Sequence, residues 1–283
     1  MRQPARPGKV EHMTQRWSVS RLIGMGALQL LMALTCGICS AEQPSAEAGA
    51  GFNTYVRALE ARLAAQRRQN AAFVVLAAPE AQTAARLRSG ELVIENLKPA
   101  KNNLPGAVLY DWRGTAFQPG ATATDFERLM RDFAAYPRIY APEIVSAKVL
   151  SQKVDRYQAT MRVRQKHVIT VVMDTTYDIH FGQLDARRGW STSRSTQIDE
   201  IDNAEMKNER VLSQADQHGF LWRLNTYWTF EERDGGLYMQ IESVSLARSI
   251  PSGLGWLIGP FVESVPRESL EFTLHATRYA LRR

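Results

Sequence analysis

The sequence predicts an α+β domain in which a curved antiparallel sheet wraps around a long terminal helix. Three features indicate this: an amphipathic helix follows an early strand, a series of alternating strands comes next, and a long helix ends the chain. Apolar residues with period two and with period 3.6 distinguish the two kinds of element. A sheet that curves around a helix leaves a hollow between the two layers, and this order of elements therefore predicts a pocket.

The first 41 residues differ from the rest of the chain. Two arginines precede an uncharged apolar run at 22–38, and small residues follow at 39–41. This pattern is typical of a secretory signal, so we expect residues 1–41 to be removed and the mature chain to reach the periplasm or cell envelope. The apolar run is close to the shortest membrane span of roughly 17 residues, so a retained anchor is one alternative. Lipidation at Cys36 is another.

Export changes the interpretation of charge and of cysteine. The chain has 35 basic and 29 acidic residues, a net charge of +6. The first 41 residues hold five of the basic residues and one acid, so the mature chain has 30 and 28, a net charge of +2. No dense basic stripe remains, and we expect no nucleic-acid partner. Both cysteines, Cys36 and Cys39, lie in the signal, so we expect neither disulfides nor thiol chemistry.

Residues 42–90 are predicted to be a linker and a helical extension. The stretch 42–51 is small and polar, a helix is expected over 52–69, and Pro79 opens a second short helix that ends near Gly90. Arginines are spread around the first helix, which favours a solvated spacer. The pattern leaves open whether these helices dock on the main domain.

The main domain is predicted to span residues 91–283. Strands are expected at 91–97 and 107–117, and a helix follows from Thr124 to Tyr136. Thr124 and Glu127 match a capping box, and the Pro after Tyr136 is expected to end the helix. Later strands are expected at 144–152, 157–164, 169–181, 190–198, 220–231 and 237–248, with a polar loop at 199–217 and a terminal helix from about Pro266.

A hairpin signal fixes the register of the last two strands. If Asp234 and Gly235 are the central turn residues, Trp228 faces Ile241 and Phe230 faces Met239. The apolar faces of both strands then agree, which supports the turn.

The stretches 114–150 and 218–236, followed by the terminal helix, resemble the START-like (SRPBCC) superfamily. In 114–150 a strand, a capped helix and a Tyr-Pro pair precede the second strand. The resemblance covers residues 91–283 and implies the helix-grip fold, a sheet that clasps the C-terminal helix over a cavity. It says little about function, because the superfamily includes lipid carriers, polyketide cyclases, hydroxylase subunits and chaperone activators.

Strand alternation, together with the resemblance, predicts a soft cavity lined by Met and aromatic side chains. Arg194 shares a face with Trp190 and is the candidate to hold a ligand carboxylate or phosphate, or an internal acid. A bulge in the strand would instead turn Arg194 to solvent. An ordinary filled core is the alternative to a cavity. The predicted ligand-binding residues are Tyr157, Met161, Met173, Tyr177, Trp190, Arg194, Trp222, Trp228, Met239 and Ser243.

Catalytic and metal signatures are weak. The histidines at 167, 180, 218 and 275 lack metal-ligand spacing, and no phosphate loop or nucleophile elbow occurs, so we expect no metal and no cofactor. The sequence favours a carrier or sensor of a hydrophobic or amphipathic small molecule. A cyclase- or hydrolase-like enzyme that uses the same cavity is the alternative, and an interaction module with a filled cavity is a third. The apolar run 254–262 is expected to be a lid, a membrane-touching element or a buried turn.

Overall fold

The computed structural model describes residues 43–68, 73–97, 103–166, 169–249 and 255–282, and for 255–263 it describes only the backbone. The predicted signal peptide lies outside these residues. Within the described part, no helix is both long and apolar enough to cross a membrane.

The longer helices and strands follow each other along the chain in the predicted order, but several begin or end at other residues than predicted. The helices are α1 (Ala46–Arg67), α2 (Glu80–Arg88), α3 (Ala123–Arg131), α4 (Tyr136–Ile139) and α5 (Gly255–Ala280), with one 3-10 turn at Phe133–Ala135. The strands are β1 (Val93–Asn96), β2 (Asn103–Leu104), β3 (Ala107–Pro119), β4 (Ile144–Lys153), β5 (Arg156–Lys166), β6 (Thr170–Asp185), β7 (Arg188–Asp202), β8 (Arg210–Val211), β9 (Arg223–Arg233) and β10 (Gly236–Arg248).

The strands form one antiparallel sheet in the order β1-β3-β10-β9-β7-β6-β5-β4, with β2 added to β3 and β8 to β7. We call the face that packs against α3, α4 and α5 the inner face, and the face that packs against α1 and α2 the outer face. The sheet and its C-terminal helix form the helix-grip fold that the sequence predicts.

Helix α1 covers the outer face. Ser45 caps its first turn by accepting from the Ala48 N–H at 3.1 Å. Buried residues recur every three or four positions along one side of α1, which is the spacing of a single helix face. They are Ala48, Phe52, Val56, Leu59 and Leu63, and they pack on apolar residues of β3, β9 and β10. The predicted linker at 42–51 and the solvated spacer helix are therefore wrong, because the helix begins at Ala46 and buries its apolar side.

Three predicted helix boundaries also need correction. Thr122, rather than Thr124, caps α3 by accepting from the Asp125 N–H at 3.1 Å. The helix ends at Arg131 because Asp132 leaves helical geometry and caps the following 3-10 turn. The terminal helix begins at Gly255 rather than near Pro266, so the backbone of the run 254–262 is mostly helical and is not a turn.

The predicted hairpin register is confirmed. Asp234 and Gly235 form the turn with φ of 56° and 75°, the left-handed values that a type I′ turn requires. Trp228 then pairs with Ile241 and Phe230 with Met239. Strand alternation consequently holds across β9 and β10.

Replacement of Phe52 by Ala should lower the free energy of unfolding by about 3–5 kcal/mol, because the ring is 3% exposed and its loss leaves a cavity between α1 and the sheet. Urea denaturation measures this loss. Asn53→Ala, on the exposed side of the same helix, is the matched control and should change little. Equal stability of the two variants would show that α1 does not dock on the outer face.

Candidate ligand-binding site on the inner face

One part of the inner face is a packed aromatic core. Phe126 of α3 lies 5.3 Å from the Trp228 ring and 4.8 Å from the Phe230 ring, measured between centroids. Four of the predicted ligand-binding residues are buried in this core, and they are Tyr157, Tyr177, Trp228 and Met239. These side chains already pack against α3, α4 and their neighbours. Their contact with a ligand stays a prediction.

A second part of the inner face is only half covered. The apolar side chains of β4 and β5 that turn toward the inner core remain partly exposed, and we call them the apolar strip: Ile144, Ala147, Val149, Met161 and Val163. Met173 of β6 pairs with Val163 and continues the strip with 5% exposure. The predicted residues Met161 and Met173 thus lie together, as the sequence indicates.

Ser243 lies on the inner face of β10, opposite Trp112 of β3. Both residues are half-buried. The Trp112 Nε1 atom is buried and has no hydrogen-bond partner among the described residues. This side of the inner face therefore presents a hydroxyl and a free indole N–H beside apolar surface.

A carboxyl group lies at the edge of the apolar strip. Glu143 directly precedes β4, and its Oε2 accepts a hydrogen bond from Gln165 Nε2 at 3.2 Å. Ser269 of α5 donates to Gln165 Oε1 at 3.3 Å, so the amide of Gln165 connects the helix to the carboxyl group. Burial raises the pKa of Glu143 to about 7, and the bond from Gln165 offsets only part of this rise.

Sequence analysis did not identify Glu143. An acid that follows Ala-Pro and precedes a strand is typical of a solvated loop. The pairing of β4 with β5 places Gln165 beside it, and the packing of α5 adds Ser269 as the partner of Gln165. The one signal in the sequence is the position of Glu143, a polar residue at the end of a strand.

The structure moves Trp190 and Arg194 to the outer face. Arg194 Nε donates to Glu60 Oε1 of α1 at 2.7 Å, and the Arg67 guanidinium lies 3.8 Å above the Trp190 ring. The predicted alternation on β7 is therefore wrong by one residue, and Arg194 is not an anchor on the inner face.

Side-chain size explains which residues of β7 face inward and which face outward. In the middle of β7 the inner positions are Ser191, Ser193 and Ser195, and Ser191 pairs with Trp228 on one side and Phe181 on the other. Small residues at these positions leave room for the neighbouring rings. The large Trp190 ring packs on the outer side against Gly182, where any side chain would collide with it.

Trp222 also departs from its predicted place. It precedes the first residue of β9, so strand alternation does not orient its ring. Its backbone N–H donates to the Leu246 carbonyl at 2.8 Å, and its ring packs with the outer-face cluster that contains Leu246. The prediction that Trp222 faces inward is wrong, because the alternation was extended beyond the strand.

The outer face holds a buried charged cluster beneath α1. Glu242 is 3% exposed and pairs with Arg62 of α1 and with Arg113 of β3. Tyr55 donates to Asp111 Oδ2 at 2.5 Å. Burial and the neighbouring Glu242 carboxylate raise the pKa of Asp111 to about 7.

A cleft of about 370 Å³ lies beside this cluster, between α1, Val75 and Arg113. Its two arginines, Arg62 and Arg113, are already paired with Glu242. The cleft is therefore a weak candidate for an anion site.

The described residues contain no group of three His, Cys, Asp or Glu side chains that could hold a metal ion. His218 Nδ1 lies 2.8 Å from Glu200 Oε2, and this bond raises the pKa of His218. Glu200 also accepts from the backbone N–H groups of 218–220. This pair holds the segment before β9, and Glu200 lies opposite Met173 of β6. His167 lies outside the described residues.

Comparison with known proteins gives matches only among solved structures. No protein-family model and no curated protein matches the chain. The chain is similar to a STAR-related lipid transfer protein from Xanthomonas axonopodis, at 20% identity and a TM-score of 0.42, over 67% of this chain and 99% of that chain.

Two further structures match to a similar degree. A START superfamily protein from Mycobacterium smegmatis is 14% identical with a TM-score of 0.39, and the match covers 62% of this chain and 96% of that one. The Zhui aromatase/cyclase from Streptomyces sp. R1128 is 12% identical with a TM-score of 0.43, over 62% and 95%. Each is a resemblance at low identity, and none defines what this chain binds.

Replacement of Glu143 by Gln should remove a pH-dependent loss of stability. The folded chain keeps the Glu143 proton up to a pKa of about 7, against an ordinary value of 4.5. Because the folded state binds the proton more tightly, this residue lowers stability as pH rises through that window. Above pH 7 the variant should be more stable than the wild type by about 1–3 kcal/mol, and below pH 4.5 the two should agree. Urea denaturation at pH 4 to 8 measures this, and parallel curves would contradict it.

Proposed function

We propose that this protein binds a hydrophobic or amphipathic small molecule between the inner face and α5, as a carrier or sensor in the cell envelope. The observation that carries the proposal is the apolar strip, whose side chains stay half exposed although they face the core. Most other apolar side chains of that face are fully buried. Apolar surface that is exposed to water is stabilised when an apolar ligand covers it.

The composition of the strip suits a flexible or irregular ligand. Met161 and Met173 are unbranched and adapt their shape to a partner, whereas Val149 and Val163 provide firm walls. Each methylene group of a ligand that leaves water contributes about 0.8 kcal/mol. The affinity of an acyl chain on the strip would therefore rise with the number of methylene groups that it buries, less the cost of association.

Two parts of the proposal rest on sequence alone. The basic and apolar pattern of residues 1–41 supports export of the mature chain. The run 254–262, rich in Gly and large apolar residues, supports transient contact with a membrane during ligand exchange. Its side chains lie outside the described residues.

Binding of the neutral dye N-phenyl-1-naphthylamine, followed by its fluorescence, tests the site. The wild-type protein should bind the dye, and Val163→Trp should weaken binding about tenfold because an indole covers the strip. Lys148→Trp places the same ring on the exposed side of β4 and should leave binding unchanged. Equal binding by both folded variants would show that the dye binds elsewhere and would contradict the proposed site.

N-terminal sequencing of the chain from the envelope fraction of its host tests export. The mature chain should begin near Glu42 if residues 1–41 are a cleaved signal peptide. Recovery of the apolar segment in washed membranes would instead identify a retained anchor.

A further inference from the structure

We propose that the ligand of the inner face has a polar end that donates hydrogen bonds and carries no negative charge, such as an ammonium or hydroxyl group, and that Glu143 receives it. This inference rests on the proposed function, because it concerns the chemistry of the same ligand. It reverses the sequence prediction of an anionic ligand held by Arg194.

The hydrogen bonds around Glu143 run in one direction. Ser269 donates to the Oε1 atom of Gln165, so the amide turns its Nε2 atom toward Glu143. Only the Oε2 atom of Glu143 receives this bond. The Oε1 atom accepts no hydrogen bond from a described residue, so one acceptor remains for a ligand.

The charge of Glu143 is not offset by a described neighbour. Among the described residues it forms no ion pair, and the neutral Gln165 amide is its polar partner. The neighbouring Arg164 turns to the other face of β5 and pairs with Glu205. A ligand carboxylate or phosphate at this place would meet a second negative charge in a partly desolvated site, whereas an ammonium group would neutralise the first.

The position of Glu143 fits one end of an amphiphile. Gln165 and Val163 are both inner-face positions of β5, next to Val171 and Met173 of β6. The carboxyl group therefore adjoins the end of the apolar strip. A ligand whose chain lies on Met161 and Val163 would bring its polar end to the free oxygen of Glu143. The raised pKa of Glu143 agrees with a carboxyl group whose charged form a further donor or a cation would stabilise.

Three probes with the same twelve-carbon chain test the inference: dodecylamine, dodecanol and dodecanoate. Each displaces the naphthylamine dye from the wild type, from Glu143→Gln and from Glu80→Gln, an exposed control on α2. At pH 8 the amine and the alcohol should bind at least about tenfold more tightly than dodecanoate. Glu143→Gln should weaken the amine about tenfold and leave dodecanoate equal or tighter, and Glu80→Gln should change none of them.

Dependence on pH gives a second readout. In the wild type, affinity for the amine should rise about tenfold from pH 6 to pH 8, as the Glu143 carboxyl ionises through its pKa of about 7. In Glu143→Gln this rise should disappear.

Three outcomes overturn the inference alone, and a fourth overturns the proposed function and the inference with it. Dodecanoate binding as tightly as the amine, equal losses for all three probes in Glu143→Gln, or dye binding that none of the probes displaces would each overturn the inference and leave the binding site standing. Absence of both dye binding and probe binding by the folded wild type would overturn the proposed function itself.

Discussion

Strand β10 is buried on both faces, and the rest of the structure depends on this constraint. Its inner side chains, among them Leu237, Met239 and Ile241, pack in the inner core. Its outer side chains include the polar Gln240 and Glu242 as well as the apolar Val244 and Leu246, and they are buried too. A strand in this position needs a layer on each side, so the terminal helix alone cannot complete the fold.

The N-terminal segment provides the second layer, and polar residues of the central strands hold it. Glu231 accepts from the backbone N–H groups of Phe73 and Val74, at 3.1 Å each, and Gln240 donates to the Val75 carbonyl at 2.8 Å. Glu242 pairs with Arg62 on α1. Buried polar groups of this kind add little net stability, but an unpaired one costs several kcal/mol. They therefore select one position for the segment on the sheet.

The same layering decides where a ligand can bind. Where α3, α4 and the aromatic rings meet the sheet, the inner face is filled, and the Tyr140 hydroxyl bonds to Thr277 of α5 at 3.1 Å. Farther along, β4 and β5 lie at the edge of the sheet and keep apolar side chains half exposed. Arg194, the predicted anchor, pairs with Glu60 of α1 on the outer face and does not reach this region. The chemistry available to a ligand there is an apolar strip with the Glu143 carboxyl group at its end.

The sequence by itself determined the α+β class, the succession of the longer strands along the chain, the presence of a terminal helix and the β9–β10 register, because these follow from local patterns. Period-two alternation and an Asp-Gly turn are visible within a few residues, and Asp234 adopts the expected left-handed φ. The phase of β7 and the docking of α1 were decided only by tertiary structure. Trp190 faces outward because rings on both neighbouring strands leave space only for serines inside, and α1 provides the surface that covers it. Met161 and Met173 could be placed from alternation alone, whereas Glu143 could not. Its environment depends on Gln165, which the pairing of β4 with β5 brings beside it, and on Ser269, which bonds to Gln165 only when α5 packs on the sheet.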